Sequence, residues 1–250
     1  MEEKLLNATL NVVRQHGTDL FIDVSRPYAY TMVIEHENKK MLLKVVLDAD
    51  DVPPGALRDV KLLSEMLDVP ALGVVSTAGG EVLREGVVYR RDNVNFVSLA
   101  TLAKAFRGEM PLFLQIRGKR YALVNGKALR DQRERAGLSL SALSEILSVS
   151  RETVYRYERE ELSISEKTAA ILARYFDLSV FKRINIFTSI KADQIDKASR
   201  AIGENAYKLE QSHPNGIAYD RRPIFIVTSE EKREKTEILA DIFGAEVVKE

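Results

Sequence analysis

The sequence contains no cysteine. That excludes disulfides, thiolate metal sites and a cysteine nucleophile. Tryptophan is also absent, and the three histidines, His16, His36 and His213, lie far apart. No H-x-x-x-H spacing occurs, so no zinc site is expected. No apolar run approaches the ~20 residues of a membrane span. The opening "MEEKLLNATLNVVRQHG" is acidic and then amphipathic, unlike a secretory signal with its basic start and compact apolar block. These absences predict a cytoplasmic protein with no membrane partner, no metal and no cofactor. An excess of one charge is missing too: 37 Lys and Arg balance 37 Asp and Glu. Charged residues make up 30%, a leaning found in thermophiles with surface ion pairs and equally in very soluble mesophilic proteins.

The zero total conceals a gradient. Residues 1–116 carry net −3, residues 117–183 net +5 and residues 184–250 net −2. A local basic segment is the electrostatic footprint of phosphate binding, whatever the whole-chain sum. A chance fluctuation of a few charges is the competing explanation.

At 250 residues the chain has room for two domains or three small ones. Residues 3–16 read as a helix with Leu6, Leu10 and Val13 on one face. "DLFIDV", "AYTMVIEH" and "MLLKVVLD" read as strands, the last apolar enough for a sheet centre. "ALRDVKLLSEMLD" is an amphipathic helix ending before Pro70. "ALGVVST" and "GVVYRRDNVNFVS" give further strands, and "LATLAKAFRGE" a closing helix. The order α-β-β-β-α-β-β-α predicts an α/β domain over 1–110. Residues 111–125 read as a hairpin or linker turning at Gly118-Lys119. Residues 126–183 read as all-helical. Over 184–250 a small α/β unit of βαβ type is expected: "INIFTSI" as a strand, "DQIDKASRAIGENAYKLEQ" as a helix, "PIFIVTS" as a strand, "EEKREKTEILADIF" as a helix capped by Thr228 and Glu231, and "AEVVKE" as the last strand. Tyr28, Tyr30, Tyr207 and Tyr219 suit core or hairpin packing more than a ligand pocket.

The middle segment is the most informative. "KALRDQRERAG" is a short helix stopped at Gly137. "SLSALSEILSV" is a second, with Ser139 as its N-cap. Leu147, Ser148 and Val149 alone separate it from a third helix capped by Ser150. So tight a link forces a steep crossing, where Leu143, Val149 and Val154 meet. "SISEKTAAILARYFDLSV" is a fourth helix, with Ser163 and Glu166 as its capping box. In the third helix Arg151, Glu152, Tyr155, Arg156 and Arg159 share one face, while Val154 and Tyr157 point away.

The run "LRDQRERAGLSLSALSEILSVSRETVYRYE" resembles the helix-turn-helix of the Cro/CI repressor family. The resemblance implies a domain of four to five helices whose third helix enters the major groove of double-stranded DNA. Arg151, Glu152, Tyr155 and Arg156 would then face bases, with Arg able to grip guanine and Glu to accept from cytosine. Ser139, Thr153 and Arg159 would lie near phosphates. Arg133 and Glu158 match a pair tying the first helix to the end of the third. The sequence departs from the family at Leu140, where a polar residue is usual, at Ser144 for Ala, at Ser148 for Gly, and in lacking the Gly that follows Glu158.

Residues 1–106 resemble the restriction-endonuclease-like fold of archaeal Holliday-junction resolvases. Active members hold a divalent metal with an Asp on one strand and Glu-x-Lys on the next. Here "TMVIEHENKKMLLKVV" places Thr31, Lys44 and Val46 at those positions. Asp23, Glu35, Asp48 and Asp50 lie nearby and read as surface strand ends and a turn. The expectation is a nuclease-like scaffold without its chemistry. The whole layout resembles an archaeal family of HTH-type transcriptional regulators, which implies a DNA-binding homodimer and no enzyme; the effector, if one exists, is not specified. An adaptor that uses the helix-turn-helix for protein contacts and a metal-dependent nuclease are the alternatives.

Overall fold

The computed structural model describes residues 2–25 and 28–249. In chain order the first half runs α1 (Glu2–His16), β1 (Thr18–Ile22), β2 (Met32–His36), β3 (Lys39–Val45), α2 (Pro54–Met66), β4 (Ala71–Val74), the small strands β5 (Thr77–Ala78) and β6 (Glu81–Val82), β7 (Val87–Arg91), β8 (Val94–Val97) and α3 (Leu99–Phe106). The middle runs β9 (Phe113–Ile116), β10 (Lys119–Val124), α4 (Gly126–Arg135), α5 (Leu140–Leu147), α6 (Arg151–Glu158), β11 (Ile164–Ser165), α7 (Glu166–Tyr175) and β12 (Phe181–Lys182). The rest runs α8 (Gln194–Arg200), β13 (Ala201–Gly203), β14 (Ala206–Lys208), β15 (Gly216–Asp220), β16 (Arg222–Val227), α9 (Glu230–Phe243) and β17 (Glu246–Lys249). The fold is α/β in its outer parts with a four-helix middle; the expected first-half order holds up to β4, but β4 to β8 stand between α2 and α3 where two strands were expected.

The main sheet has ten strands in the order β1-β2-β3-β4-β8-β7-β9-β10-β11, with β12 also on β10. β3 sits between antiparallel β2 and parallel β4. Successive side chains on a strand face opposite ways, so a central strand presents apolar residues to both faces. Met41, Leu43 and Val45 enter a core with Val13 of α1 and Leu102 and Phe106 of α3. Leu42 enters the opposite core with Ala56, Leu57 and Val60 of α2. That second core also holds Ile217, Phe225 and Leu239, so the last part of the chain packs directly onto the first.

The β9–β10 hairpin is a sheet member on both sides. β9 pairs in parallel with β7, and β10 pairs with β11 and β12. Ala122 and Val124 of β10 lie in the same core as Leu143, Val154 and Leu172.

The last part corrects two expectations. "INIFTSI" forms no strand; Ile184 and Ile186 plug the core beneath α3, and only Ser189 makes an isolated bridge, to Pro70. The long helix expected from Asp193 onward ends at Arg200 and gives way to β13 and β14. Those strands complete a five-stranded sheet, β13-β14-β15-β16-β17. The βαβ element is real: β16 pairs in parallel with β17 through α9. Glu250 of the expected last strand lies outside the described residues.

Two capping boxes also form differently. Ser229 occupies the cap of α9 without a side-chain bond, and the Thr228 N–H donates to the Asn215 side chain at 3.1 Å. α7 is capped by Ser165, which accepts from the Thr168 N–H at 3.2 Å. Pairing of Ile164 and Ser165 with β10 delays that helix by two residues beyond Ser163. Among the described residues no helix is long and apolar enough to cross a membrane.

Candidate nucleic-acid interface

Local sequence chemistry builds the middle helices. Ser139 caps α5 by accepting from the Ala142 N–H at 3.0 Å. Ser150 caps α6 by accepting from the Thr153 N–H at 3.0 Å. Between them Ser148 adopts φ +53, the left-handed conformation that favours glycine. The turn then brings Leu143 and Val154 into one fully buried contact zone, with Val149 packed against it. Gly126 fixes the other side: a Cβ there would meet the Glu158 carbonyl oxygen at 2.2 Å. α4 therefore starts against the backbone at the end of α6.

The expected Arg133–Glu158 tie is present and buried. Arg133 Nε donates to Glu158 Oε1 at 2.5 Å and Nη2 to Oε2 at 3.3 Å. Arg133 Nη1 also reaches the Leu138 carbonyl at 2.8 Å. Arg130 adds a contact to Glu158 at 3.2 Å. A bidentate pair of this kind fixes both distance and orientation, here between α4 and α6.

With the helices locked, the candidate side chains fall as follows. Arg151, Glu152, Tyr155, Arg156 and Arg159 are all exposed, while Val154 and Tyr157 are buried. Ser139 is exposed at the start of α5. Thr153 is half-buried, its hydroxyl 2.8 Å from that of Ser150. Tyr155 accepts from Arg159 Nη1 at 3.2 Å, with the guanidinium 5.6 Å from the ring centre. The structure thus gathers the five exposed residues on one surface, with Thr153 at its helix start.

One residue escaped the sequence. Glu161 lies 3.4 Å from Arg156 and 2.8 Å from Arg159. Glu160 turns the chain back with φ +61. Its carboxylate accepts from the Gly126 N–H at 3.0 Å and pairs with Lys182. The only signal was the acidic pair Glu160-Glu161; its direction depended on this reversal. Of the three arginines on the face, only Arg151 has no carboxylate partner among the described residues.

The nuclease-like positions look quite different. Thr31 is buried, and its hydroxyl accepts from the Val45 N–H at 3.0 Å. Lys44 Nζ donates to the Tyr28 carbonyl at 2.6 Å; burial lowers the pKa of its ammonium, partly offset by Glu2. Thr31, Lys44 and Val46 line one cavity of about 490 Å³. A divalent cation needs hard oxygen donors, and an ammonium, a satisfied hydroxyl and an isopropyl group do not supply them. Among the described residues no group of three or more His, Asp or Glu could hold a metal ion. The residues present do not fit the metal that this fold carries in active nucleases.

Asp23 corrects the reading of a surface strand end. It is 6% exposed and takes contacts from His213 Nε2 at 2.9 Å and Lys235 Nζ at 2.7 Å. Burial alone would raise its carboxyl, but hydrogen bonds from Lys235, Ser25 and His213 outweigh that and hold it well below the usual carboxylate range. Asp48 and Asp50 do serve a turn: Asp48 accepts from the Thr77 hydroxyl at 2.6 Å, and Asp50 from the Gly79 N–H at 2.9 Å.

The comparisons with known proteins agree with this anatomy. Residues 2–111 match the model of the PD-(D/E)XK superfamily domain, and residues 129–182 that of the helix-turn-helix. A protein of Pyrobaculum aerophilum, called "Putative HTH-type transcriptional regulatory protein", is 46% identical over 247 residues, covering 99% of both chains. The chain belongs to this archaeal family of HTH-type regulatory proteins. Relatives under the same name are more distant. One from Thermococcus gammatolerans is 24% identical over 98% of this chain and 82% of its own. One from Methanococcus vannielii is 26% identical over 83% of this chain. The match spans 63% of that relative's length. No solved structure matches.

Proposed function

We propose that this family member is a sequence-specific, DNA-binding transcriptional regulator that reads a two-fold operator as a homodimer. The observation that carries the reading is the exposed face of α6, held by a buried bidentate pair and a short turn. Arg151, Glu152, Tyr155 and Arg156 would face base edges in the major groove, and Ser139, Thr153 and Arg159 the flanking phosphates. One helix-turn-helix touches few base pairs, so a second copy is expected to read a half-site about 34 Å away. The reading assigns no catalysis to the nuclease-like part, whose cavity presents Lys44 where a metal ligand would be needed.

A second reading has one specific observation behind it. Glu161 engages both Arg156 and Arg159, which reduces the positive charge of the face and suits an adaptor that contacts protein. Selection of bound fragments from a genomic library at about 0.15 M salt separates the two, because weak backbone binding is suppressed there. An enriched inverted repeat supports the dimeric regulator. Recovery of no preferred sequence sinks it and leaves the adaptor.

A further inference from the structure

The recognition face is modest in charge. Arg151, Arg156 and Arg159 are set against Glu152 and Glu161, and two of the three arginines already share Glu161. Phosphate attraction supplies a large part of DNA affinity. The net charge of +5 over residues 117–183 therefore has to be sought elsewhere.

The sheet shows where. Lys119 of β10 stands opposite Ile116 of β9, and Tyr89 of β7 opposite Gln115. Arg90 therefore lies one step along β7, level with Ile116. At ~4.8 Å between strands, Arg90 and Lys119 are about 10 Å apart at one end of the sheet. Arg117 projects from the turn between them. Arg90, Arg91 and Arg117 line one cleft of about 410 Å³. On the other side of β10, Tyr121 pairs with Ser165, so Lys167 in the first turn of α7 borders the same end. Arg120 is anchored there by Glu166 at 2.8 Å.

The carboxylates of this region are engaged. Asp92 lies 4.0 Å from Arg91, and Asp193 caps α8 by accepting from the Asp196 N–H at 2.7 Å. Among the described residues Arg90, Arg117, Lys119 and Lys167 have no carboxylate partner. Arg90 instead donates to the Asn95 side chain at 2.9 Å. Arg117, Lys119 and Lys167 are exposed. The result is a cationic ridge running from β7 across the β9–β10 turn to α7.

The chain ties the edge of the ridge to the C-terminal end of α6. Seven residue steps lead from Glu158, at that end, to Ser165, so these two are at most about 25 Å apart. That is less than one turn of duplex, ~34 Å. The ridge cannot be displaced freely, because β9 and β10 are paired into both flanking structures.

We propose that this ridge is a second, sequence-independent DNA surface, with Arg90, Arg117, Lys119 and Lys167 holding phosphates of the duplex that flanks the bases read by α6. The proposal rests on the DNA-binding reading above. It assigns to the ridge the affinity and to α6 the choice of sequence, since phosphate contacts position a protein without reading bases.

The test compares the full-length protein with the double variant Arg117→Asn and Lys119→Gln. Asparagine tolerates the left-handed conformation of residue 117, φ +48, so the turn is kept; a thermal melt verifies the fold. Both proteins are titrated with a preferred site and with random duplex of equal length, at salt from about 0.05 to 0.3 M. Loss of two phosphate contacts is expected to flatten the slope of log K against log salt by about 1.8 and to weaken binding on the order of tenfold at 0.15 M. The loss should be equal on the two duplexes, leaving the preference ratio unchanged, and Arg90→Gln should flatten the slope further. Arg151→Ala should instead lower the ratio. A double variant with the wild-type slope overturns the ridge while leaving the operator reading intact. A wild-type protein with no preferred site overturns the operator reading, and the slope difference on random duplex then still decides the ridge.

Discussion

Charge is handled in opposite ways in the two halves of this molecule. In the nuclease-like half two carboxylates, Asp23 and Asp59, point inward. Asp59 of α2 is fully buried, pairs with Arg200, and accepts from the Glu210 and Gln211 N–H groups at 2.9 and 2.6 Å. Asp23 does the same work with His213 and Lys235. These groups hold the last part of the chain to the first. In the helix-turn-helix only the Arg133–Glu158 tie is buried, and the remaining charges face solvent. A carboxylate enclosed by such partners is committed to the fold. The contrast separates charges that hold the fold together from charges left at the surface.

The contrast can be broken most forcefully at Asp59. Asp59→Ala leaves Arg200 buried without its main partner and should cost about 3–5 kcal/mol, read by urea denaturation. Glu158→Ala should cost about 3 kcal/mol by the same logic, and it also tests whether the halves are separate. The shared ten-stranded sheet predicts a single unfolding transition; two transitions would show that the helical part melts alone.

Acid provides a finer probe of the inward charges. Burial pushes the His213 imidazole below its usual value, against the opposing pull of Asp23. The folded protein therefore resists a proton that the unfolded chain takes up near pH 6.5, and stability should fall as pH drops through that range. Asp23, held low, contributes stability above about pH 4 that is lost as pH falls further. His213→Gln should abolish the upper step and leave the lower one; an unchanged profile would remove His213 from the account. On the outward side, Arg151→Ala should cost about 1–3 kcal/mol on the preferred site and less than about 0.5 kcal/mol in stability. Equal losses on random DNA would mean that Arg151 touches only phosphate. Smallest of all, Ser148→Gly should stabilise by about 0.5–1 kcal/mol by relieving the left-handed turn, seen as a small rise in melting temperature with DNA preference unchanged.

The helical segment was legible because its signals are local. Ser139, Ser150 and Gly137 mark ends, and the spacing of Leu143, Val149 and Val154 marks the crossing. The central strand β3 was legible from Met41, Leu42, Leu43 and Val45, apolar on both faces of the strand. The region after residue 183 was misread because short-range pattern favoured the wrong partner. "INIFTSI" alternates like a strand, yet its isoleucines are used as plugs in a core built by distant residues. The segment after Arg200 has helical composition but is taken up by a sheet whose register is set by β15 and β16. Asp23 was misread because its partners lie about 190 residues downstream.

The sequence by itself determined α4, α5 and α6, the Ser139 and Ser150 caps and the outward set beginning at Arg151, since i to i+4 geometry and capping need only neighbouring residues. Its resemblance to the nuclease fold placed Thr31, Lys44 and Val46 at the positions of the metal-binding set, and the three do line one cavity. The tertiary structure alone decided that Glu161 turns onto Arg156 and Arg159, that Asp23 and Asp59 are enclosed, and that Arg90, Arg117 and Lys119 form one ridge. Those outcomes depend on strand register and chain reversal, which bring together charges whose separation along the sequence says nothing about their separation in space.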